Sequence, residues 1–319
     1  MTAPSPSPRI GRAKAATARP VADPERILIV APVTVGDMVL AEPLTRLLRR
    51  LYPKAAIDML APPHTAELAA FMPELRTVLP APYAPGDLAL VTRWRLSRRL
   101  RGERYDLALL LPNSVKSALV PFLAGIPKRV GYAREGRALL LTEARWLDRG
   151  RLRRRIDRFL ALALPENATP PFDAPAPALR VSDDAIDRAL ERLGLERPAG
   201  RLLLLLPGAK ETSPARWPTA HFAAIARHHH AAGGSVWLLG SAGDREATAA
   251  VQAASRGICL DFAGRTRLGE AVALIALADA VASNDTGLAQ VAAAVGHRSL
   301  AELTPQQAID ALSAQERRA

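Results

Sequence analysis

Short apolar runs alternate with longer amphipathic segments along most of this chain. Apolar runs of strand length occupy residues 27–30, 56–60 and 106–111, and helical periodicity follows at residues 38–51, 64–71 and 114–123. Short strands that are apolar throughout and alternate with helices are typical of βαβ units around a parallel sheet. The first half of the chain is therefore predicted to be an α/β domain.

A proline-rich stretch interrupts this alternation near the middle of the chain. Residues 164–177 spell LPENATPPFDAPAP, which can neither continue a helix nor form a central strand. The pattern then restarts, with predicted strands at 202–206, 235–239 and 280–283 and predicted helices at 183–193, 219–230, from 244 onward, and 287–295. We therefore predict a flexible tail at residues 1–26, a first domain at 27–163, a linker at 164–180 and a second domain at 181–319.

The overall composition narrows the class of protein. In 319 residues, 43 Lys and Arg face 31 Asp and Glu, and the net charge of +12 points to an anionic partner such as nucleic acid, a phosphorylated substrate or a lipid surface. The single cysteine, Cys259, excludes a disulfide framework and favours a reducing compartment, with the cytoplasm as the default. No apolar run has the length of a membrane span, and the N-terminal tail lacks the apolar core of a secretory signal.

Two doubly wound domains in succession favour a ligand held between them, because open α/β sheets bind ligands at the carboxyl ends of their strands. In the loop at 31–37, Asp37 is either a general base or the cap of the following helix. In the loop at 207–218, Lys210 and Arg216 either neutralise a phosphate or are solvated cations, and Trp217 anchors the loop.

Two further loops carry polar residues between a strand and a helix. Asp244, at residues 240–246, either accepts hydrogen bonds from sugar hydroxyls or caps the next helix. The loop at 283–288 opens a helix whose N-terminal dipole suits a pyrophosphate. The sequence contains neither GxGxxG nor GxxxxGK[ST], so dinucleotide and Walker sites have no motif support.

The loops in this order resemble the bacterial lipopolysaccharide heptosyltransferases of glycosyltransferase family 9, most closely the heptosyltransferase II type. The segments that carry the resemblance are ILIVAPVTVGDMVLAEPL at 27–44, LPNSVKSALVPFLAGIPKRVGY at 111–132, PGA and RWP within 207–218, LLGSAGDRE at 238–246 and NDTGLAQVAAA at 284–294. The resemblance implies a GT-B fold of two Rossmann-like domains separated by a cleft. It also implies transfer of heptose from ADP-heptose to the lipopolysaccharide inner core, with inversion and with neither metal nor other cofactor.

Roles follow from the resemblance one residue at a time. Asp37 is similar to the family's general base, and Asp244 to the acidic residue that holds the ADP ribose. The donor diphosphate and heptose are implied to bind the turn of Asp285, Thr286, Gly287 and Leu288, with Lys210 and Arg216 as the cations of the donor loop. The acceptor side is implied to include Gly36, Asn113, Ser114 and Lys116.

The chain departs from the family pattern in three places. Ala215 replaces the family's lysine, and Gln290 replaces its histidine. After the Ala-rich helix, residues 295–296 run directly into HRSLAELTPQQAIDAL, without the family's further strand and Gly-Pro loop. We expect strand 280–283 to have an open edge and its neighbouring helix an uncovered apolar face. The alternative to an active transferase is a degenerate relative that binds nucleotide or anionic lipid without turnover.

Two arginine clusters and a histidine tract lie outside these motifs. The clusters are Arg93, Arg95, Arg98, Arg99, Arg101 and Arg104, and Arg149, Arg151, Arg153, Arg154, Arg155 and Arg158. Aromatic residues make up only 4% of the chain and no recognition motif accompanies the arginines, so we expect no nucleic-acid partner. The clusters are predicted either to face the anionic inner-membrane surface or phosphorylated inner core, or to be solvated helix faces. The tract at 228–230 is predicted to be a helix end rather than a metal site.

Overall fold

The first half of the chain forms one parallel sheet. The computed structural model describes residues 23–83, 86–208, 217–284, 287–300 and 303–316. The strands are β1 (Arg26–Val30), β2 (Ala56–Ala61), β3 (Thr77–Pro80), β4 (Leu107–Leu110), β5 (Lys128–Tyr132) and β6 (Glu143–Arg145). Their order is β3-β2-β1-β4-β5-β6, and every neighbouring pair is parallel. β1 and β4 are buried because helices cover both faces of the sheet.

The helices of this half are α1 (Val35–Leu51), α2 (Pro63–Ala69), α3 (Leu90–Gly102), α4 (Val115–Leu123) and α5 (Arg155–Leu160), with a 3₁₀ helix at Arg137–Leu140. The α/β prediction is confirmed. The tail predicted at residues 1–26 includes residues that belong to the folded domain. The backbone N–H groups of Glu25 and Arg26 donate to Asp106 Oδ2, and β1 begins at Arg26. Residues 1–22 lie outside the described residues.

The second half forms a smaller parallel sheet. Its elements are α6 (Asp183–Leu193), β7 (Leu202–Leu206), α7 (Thr219–Ala231), β8 (Ser235–Leu238), α8 (Arg245–Ala254), β9 (Leu260–Asp261), α9 (Leu268–Leu277), β10 (Ala280–Ser283), α10 (Gly287–Ala294) and α11 (Pro305–Glu316). The strand order is β10-β7-β8-β9, so the winding reverses between β7 and β10. This is the point at which a doubly wound sheet leaves a crevice for a ligand.

The residues after α10 correct one prediction about this sheet. β10 is an edge strand, and a single bridge joins Val281 to Ser299 beside it. The neighbouring helix does not have an uncovered apolar face, because Val291 and Ala292 are buried and α10 packs against α1. The prediction was wrong because it considered only the second half of the chain, whereas α1 of the first half covers this helix.

The proline-rich segment packs against both halves. The Ala178 N–H donates to the buried Glu42 carboxylate of α1 at 3.0 Å, and the Leu179 N–H donates to the Ala294 carbonyl of α10 at 2.8 Å. Burial raises the pKa of Glu42, and Arg46 partly offsets this as its ion-pair partner. The segment thus ties α1 to α10. The domain boundaries at 27–163, 164–180 and 181–319 remain predictions.

Candidate active site

A cavity of about 440 Å³ opens where the winding of the first sheet reverses, between β1 and β4. It lies at the carboxyl ends of these strands, the usual place for a ligand in an open α/β sheet. Its wall is largely apolar, and its polar lining includes Tyr83, Arg93, Ser114, Lys116 and Glu135. We call it the first-sheet cavity. A mostly apolar pocket with a few polar groups is suited to holding and orienting an organic substrate.

The predicted acceptor residues are placed differently around this cavity. Ser114 and Lys116 line it, and Ser114 also caps α4 because its Oγ accepts a backbone N–H of the first turn. The Lys116 ammonium donates to the carbonyl of Gly86, which also lines the cavity. Asn113 lies beside the cavity and accepts from Arg137 Nη2 at 3.4 Å. Gly36 belongs to a separate contact, described below.

Two buried arginines form part of the structure around the cavity. Arg93 donates to the Lys116 carbonyl at 2.9 Å, and its guanidinium stands 3.7 Å from the centre of the Tyr83 ring. Placing Arg93 on a solvated basic face was therefore wrong, because its side chain is buried and faces inward. Arg137, which no sequence motif marked, is fully buried and donates to Ser117 Oγ at 3.0 Å. Burial lowers the pKa of Arg137 to about 10.

Asp37 lies in the first turn of α1, three residues after its cap. Thr34 is the N-cap, and its Oγ1 accepts from the Asp37 N–H at 3.2 Å. The interpretation of Asp37 as the cap is therefore wrong, because the helix begins at Val35 rather than near residue 38. The Asp37 carboxylate instead accepts from Arg155 Nη1 at 2.6 Å, with 19% of the Asp37 side chain exposed. This arrangement leaves an accessible, oriented carboxylate.

The N-termini of α1 and α10 meet in a close contact between the two sheets' helices. A Cβ added at Gly287 would lie 3.0 Å from Val35 Cβ and 3.3 Å from Gly36 N. A Cβ added at Gly36 would lie 2.8 Å from Gln290 Oε1. At Gly287 the obstacles are a Cβ atom and backbone, which a rotamer change cannot move, whereas at Gly36 the obstacle is the end of the flexible Gln290 side chain. In this contact, the positive ends of two helix dipoles converge beside Asp37, which favours a bound anion there.

Asp244 braces the loops that follow β7 and β8. Its Oδ2 accepts from the backbone N–H and the Oγ of Ser241, both at 2.7 Å. A Cβ added at Gly208 would lie 2.3 Å from Asp244 Oδ1, and one added at Gly240 would lie 2.8 Å from Asp244 Cβ. Asp244 occupies the N-cap position of α8, but its side chain makes no cap hydrogen bond to that helix. The carboxylate is thus half-buried beside the second sheet's crevice.

Asn284 connects the two loops that flank this crevice, and the sequence analysis assigned it no role. Its Oδ1 accepts from the Trp217 N–H, and its Nδ2 donates to the Pro207 carbonyl, each at 2.8 Å. Trp217 is buried and donates through Nε1 to the Leu303 carbonyl, which confirms it as an anchor. The position of Asn284 within the NDTG motif could have marked it as a site residue. Its bonds, however, reach the loop after β7, and the sequence does not show that β7 and β10 are neighbours.

Four predicted donor residues lie outside the described residues, namely Lys210, Arg216, Asp285 and Thr286, and so does Ala215, which replaces the family's lysine. Gly287 is the first residue of α10, as predicted, and it lies against the N-terminus of α1, the helix that carries Asp37. Leu288 is half-buried and packs against the apolar core. Gln290 contributes a buried Oε1 atom that has no hydrogen-bond partner among the described residues.

The second arginine cluster largely bonds to protein groups. Besides the pair with Asp37, Arg154 forms an ion pair with Asp157 at 2.7 Å, and Arg158 donates to the Leu152 carbonyl at 2.9 Å. The sequence could not indicate that Arg155 in particular contacts α1, because Arg153, Arg154 and Arg155 are consecutive arginines with no local feature that distinguishes them.

The histidine tract occupies the last turn of α7, as predicted. His229 Nε2 donates to the Arg201 carbonyl at 3.0 Å, and His228 Nε2 lies 3.0 Å from Ser313 Oγ. Within the part of the chain that the structure describes, no cluster of three or more His, Cys, Asp or Glu could hold a metal ion. Among the same residues, no helix has the length and apolar character needed to cross a bilayer.

Comparison with known proteins gives consistent matches. Residues 93–313 match the profile of glycosyltransferase family 9 (heptosyltransferase). Lipopolysaccharide heptosyltransferase 2 of Escherichia coli (strain K12) is 38% identical over 291 residues, which are 88% of this chain and 83% of that protein. The Salmonella typhimurium protein of the same name is 40% identical over 281 residues, 85% of this chain and 80% of that protein.

The solved structure of E. coli ADP-heptose LPS heptosyltransferase II superposes on this chain with a TM-score of 0.78. The identity is 33%, and the match covers 92% of this chain and 100% of that chain. The expectation of an α/β fold of the GT-B type is thereby confirmed.

Proposed function

The chain belongs to glycosyltransferase family 9, the heptosyltransferases, and we propose that it transfers heptose from ADP-heptose to the inner core of lipopolysaccharide. The observation that carries the proposal is the contact of the α1 and α10 N-termini, which brings Asp37 beside the helix proposed to receive the donor. Because the matched relatives are named as transferases, the alternative of a non-catalytic relative is not favoured.

Asp37 acts in this proposal as the general base. An acceptor hydroxyl in the first-sheet cavity attacks the anomeric carbon of the heptose while its proton passes to the Asp37 carboxylate. A bond forms between the acceptor oxygen and the anomeric carbon, and the bond from that carbon to the diphosphate oxygen breaks. ADP leaves with the electron pair, and attack from the opposite face inverts the anomeric centre. Arg155 holds Asp37 Oδ1 at 2.6 Å, which fixes the orientation of the carboxylate.

The donor is proposed to bind the crevice of the second sheet. The backbone N–H groups of Gly287 and Leu288, at the start of α10, are proposed to bind the diphosphate, and the helix dipole stabilises the charge of the leaving group. Asp285 and Thr286 precede them in the chain and are proposed to belong to the same site. Asp244 accepts hydrogen bonds from the ribose hydroxyls. Lys210 and Arg216 supply the cations, and no metal takes part.

The acceptor is proposed to enter the first-sheet cavity, which Ser114 and Lys116 line. Asn113, beside the cavity, and Gly36, at the contact of α1 with α10, are the other residues proposed to bind it. The cavity's apolar wall suits the faces of sugar rings, and its polar groups suit their hydroxyl and charged substituents. Because this acceptor is part of a membrane lipid, we place the enzyme on the cytoplasmic face of the inner membrane, in peripheral contact with anionic lipid.

Transfer of radiolabelled heptose tests the proposal. The purified chain is incubated with labelled ADP-heptose and heptose-deficient acceptor lipid, and label in the lipid fraction is counted. We expect label to accumulate only when both substrates are present. Absence of transfer, together with absence of ADP-heptose binding in calorimetry, would contradict the proposal. Binding without transfer would instead support the non-catalytic alternative.

A further inference from the structure

One face of α3 exposes apolar and basic side chains together. Val91 is 61% exposed and Trp94 49% exposed, and Leu88 and Leu90 are exposed beside them at the start of the helix. The opposite face is buried through Leu96 and Leu100, which belong to the core of the first sheet. Since α3 is anchored by that core, its exposed apolar face is a fixed surface. We call residues 88–94 on this face the apolar patch.

Arginines continue the same exposed surface toward the end of the helix. Arg95, Arg98, Arg99 and Arg101 are exposed, and the Arg98 guanidinium stands 5.1 Å from the centre of the Trp94 ring. Among the described residues, none of these four arginines forms an ion pair with a carboxylate, and Arg101 donates to the Leu123 carbonyl at 2.7 Å. Tryptophan and aliphatic side chains next to unpaired arginines suit the boundary between acyl chains and anionic headgroups.

The helix also borders the first-sheet cavity. Arg93, on the inner side of α3, lines that cavity and donates to the carbonyls of Leu88, Asp87 and Lys116. Arg93 therefore links the wall of the cavity to the backbone at the start of the apolar patch. A membrane that meets the exposed face of α3 lies next to the cavity proposed for the acceptor.

We infer that α3 docks the enzyme on an anionic lipid surface, with the apolar patch at the level of the acyl chains and Arg95, Arg98 and Arg99 against the headgroups. This inference rests on the proposed function, and it names the face that makes the membrane contact. It also distinguishes between the two arginine clusters, because Arg95, Arg98 and Arg99 of the first are exposed, whereas Arg154 and Arg158 of the second bond to protein atoms.

Vesicle binding tests the inference with the full chain. Sedimentation is measured with vesicles of phosphatidylcholine alone and with vesicles in which about a third of the lipid is phosphatidylglycerol. We expect binding to the anionic vesicles that weakens as salt is raised. Arg98→Gln with Arg99→Gln should weaken it by about fivefold for each arginine at low salt. Val91→Gln with Trp94→Gln should weaken it at least as much.

A matched pair of exposed side chains provides the control. Leu139, 90% exposed, lies in the 3₁₀ helix and Trp146, 82% exposed, follows β6, and their double change to Gln should leave vesicle binding unchanged. All of these positions are exposed, so melting temperatures should match the parent. Equal loss in the control pair, or undiminished binding after Val91→Gln with Trp94→Gln, would overturn the assignment of α3. The assignment would also be overturned if the parent protein were a dimer that Val91→Gln with Trp94→Gln converted to a monomer while vesicle binding persisted.

Transfer assays separate this inference from the proposed function. The Val91→Gln, Trp94→Gln variant should lose transfer to vesicle-bound acceptor and retain transfer to a water-soluble, deacylated acceptor. If the parent transfers to neither, the proposed function fails, and vesicle binding still decides the role of α3. If the variant loses both transfers equally, the apolar patch acts on catalysis rather than on docking, which would overturn the inference.

Discussion

Adding one methyl group at Gly287 tests whether the contact between α1 and α10 positions the reacting groups. The new Cβ would lie 3.0 Å from Val35 Cβ and 3.3 Å from Gly36 N. Carbon atoms in favourable contact lie about 3.5 to 4.0 Å apart, so the two helices must separate by roughly 0.5 to 1 Å. One obstacle is backbone and the other is a Cβ atom, so a rotamer change cannot relieve the clash.

This displacement moves the proposed donor helix away from Asp37. Misplacing reacting groups by about 1 Å can cost on the order of a hundredfold in rate, so we expect Gly287→Ala to lower kcat by roughly ten- to a hundredfold. Overpacking costs about 1 to 3 kcal/mol of stability, and the higher helix propensity of alanine returns up to about 1 kcal/mol. The protein should therefore remain folded, with a slightly lower melting temperature.

Steady-state transfer and thermal unfolding measure the two effects, and Gly36→Ala is the matched control. Its Cβ would meet only the movable end of Gln290, at 2.8 Å from Oε1. Adding Gln290→Ala should restore any kcat that Gly36→Ala loses, and it should not rescue Gly287→Ala. Parental kcat in a folded Gly287→Ala variant would refute the reasoning that this contact positions the site.

Three further changes probe the donor loop and the stability of each half. Asp244→Ala should weaken ADP binding by about 1 to 3 kcal/mol in calorimetry, because it removes a carboxylate that braces Ser241 and is proposed to hold the ribose. Tyr105→Phe should lower the free energy of unfolding by about 1.5 to 3 kcal/mol in urea, because it removes the buried 2.6 Å bond to Asp58. Burial lowers the pKa of His297 below its ordinary 6.5, so the unfolded chain takes up a proton that the folded chain resists. Stability should therefore be full above pH 6.5 and fall as the pH falls, and His297→Gln should reduce that loss.

Each of these changes has its own control. Glu246→Ala, on the exposed first turn of α8, should leave ADP affinity unchanged, and an equal loss in both variants would remove the special role of Asp244. Tyr52→Phe removes a hydroxyl with no recorded side-chain bond among the described residues and should cost much less than Tyr105→Phe. Identical acid sensitivity of the parent and His297→Gln would show that another group governs this pH range.

The βαβ alternation was predictable because strands such as β1 and β7 are buried on both faces and apolar throughout. The edge strands β3, β6 and β9 were not predicted, whereas the edge strand β10 was, at residues 280–283. β3 is half-exposed, and β6 consists of Glu143–Arg145, so neither carries an apolar run. Short edge strands depend on a neighbouring strand for their hydrogen bonds, and that neighbour is set by topology rather than by local sequence.

The candidate site shows the same division. Asp37 and Gly287 could be proposed from the sequence because glycine and carboxylate residues between a strand and a helix form a local motif. Arg155 was not singled out, since its ion pair joins residues 118 positions apart in the chain. Asn284 was overlooked for the same reason, because its two bonds reach 67 and 77 residues back to the loop after β7.

The central claim is that Asp37 takes the proton from the acceptor, and Asp37→Asn measures this most directly. The amide retains the size of the side chain, and Thr34 still caps α1. We predict that turnover falls about a hundredfold or more while the Kd for ADP-heptose changes little. Asp173→Asn, at a fully exposed carboxylate, should match the parent. Parental turnover by Asp37→Asn would contradict the account.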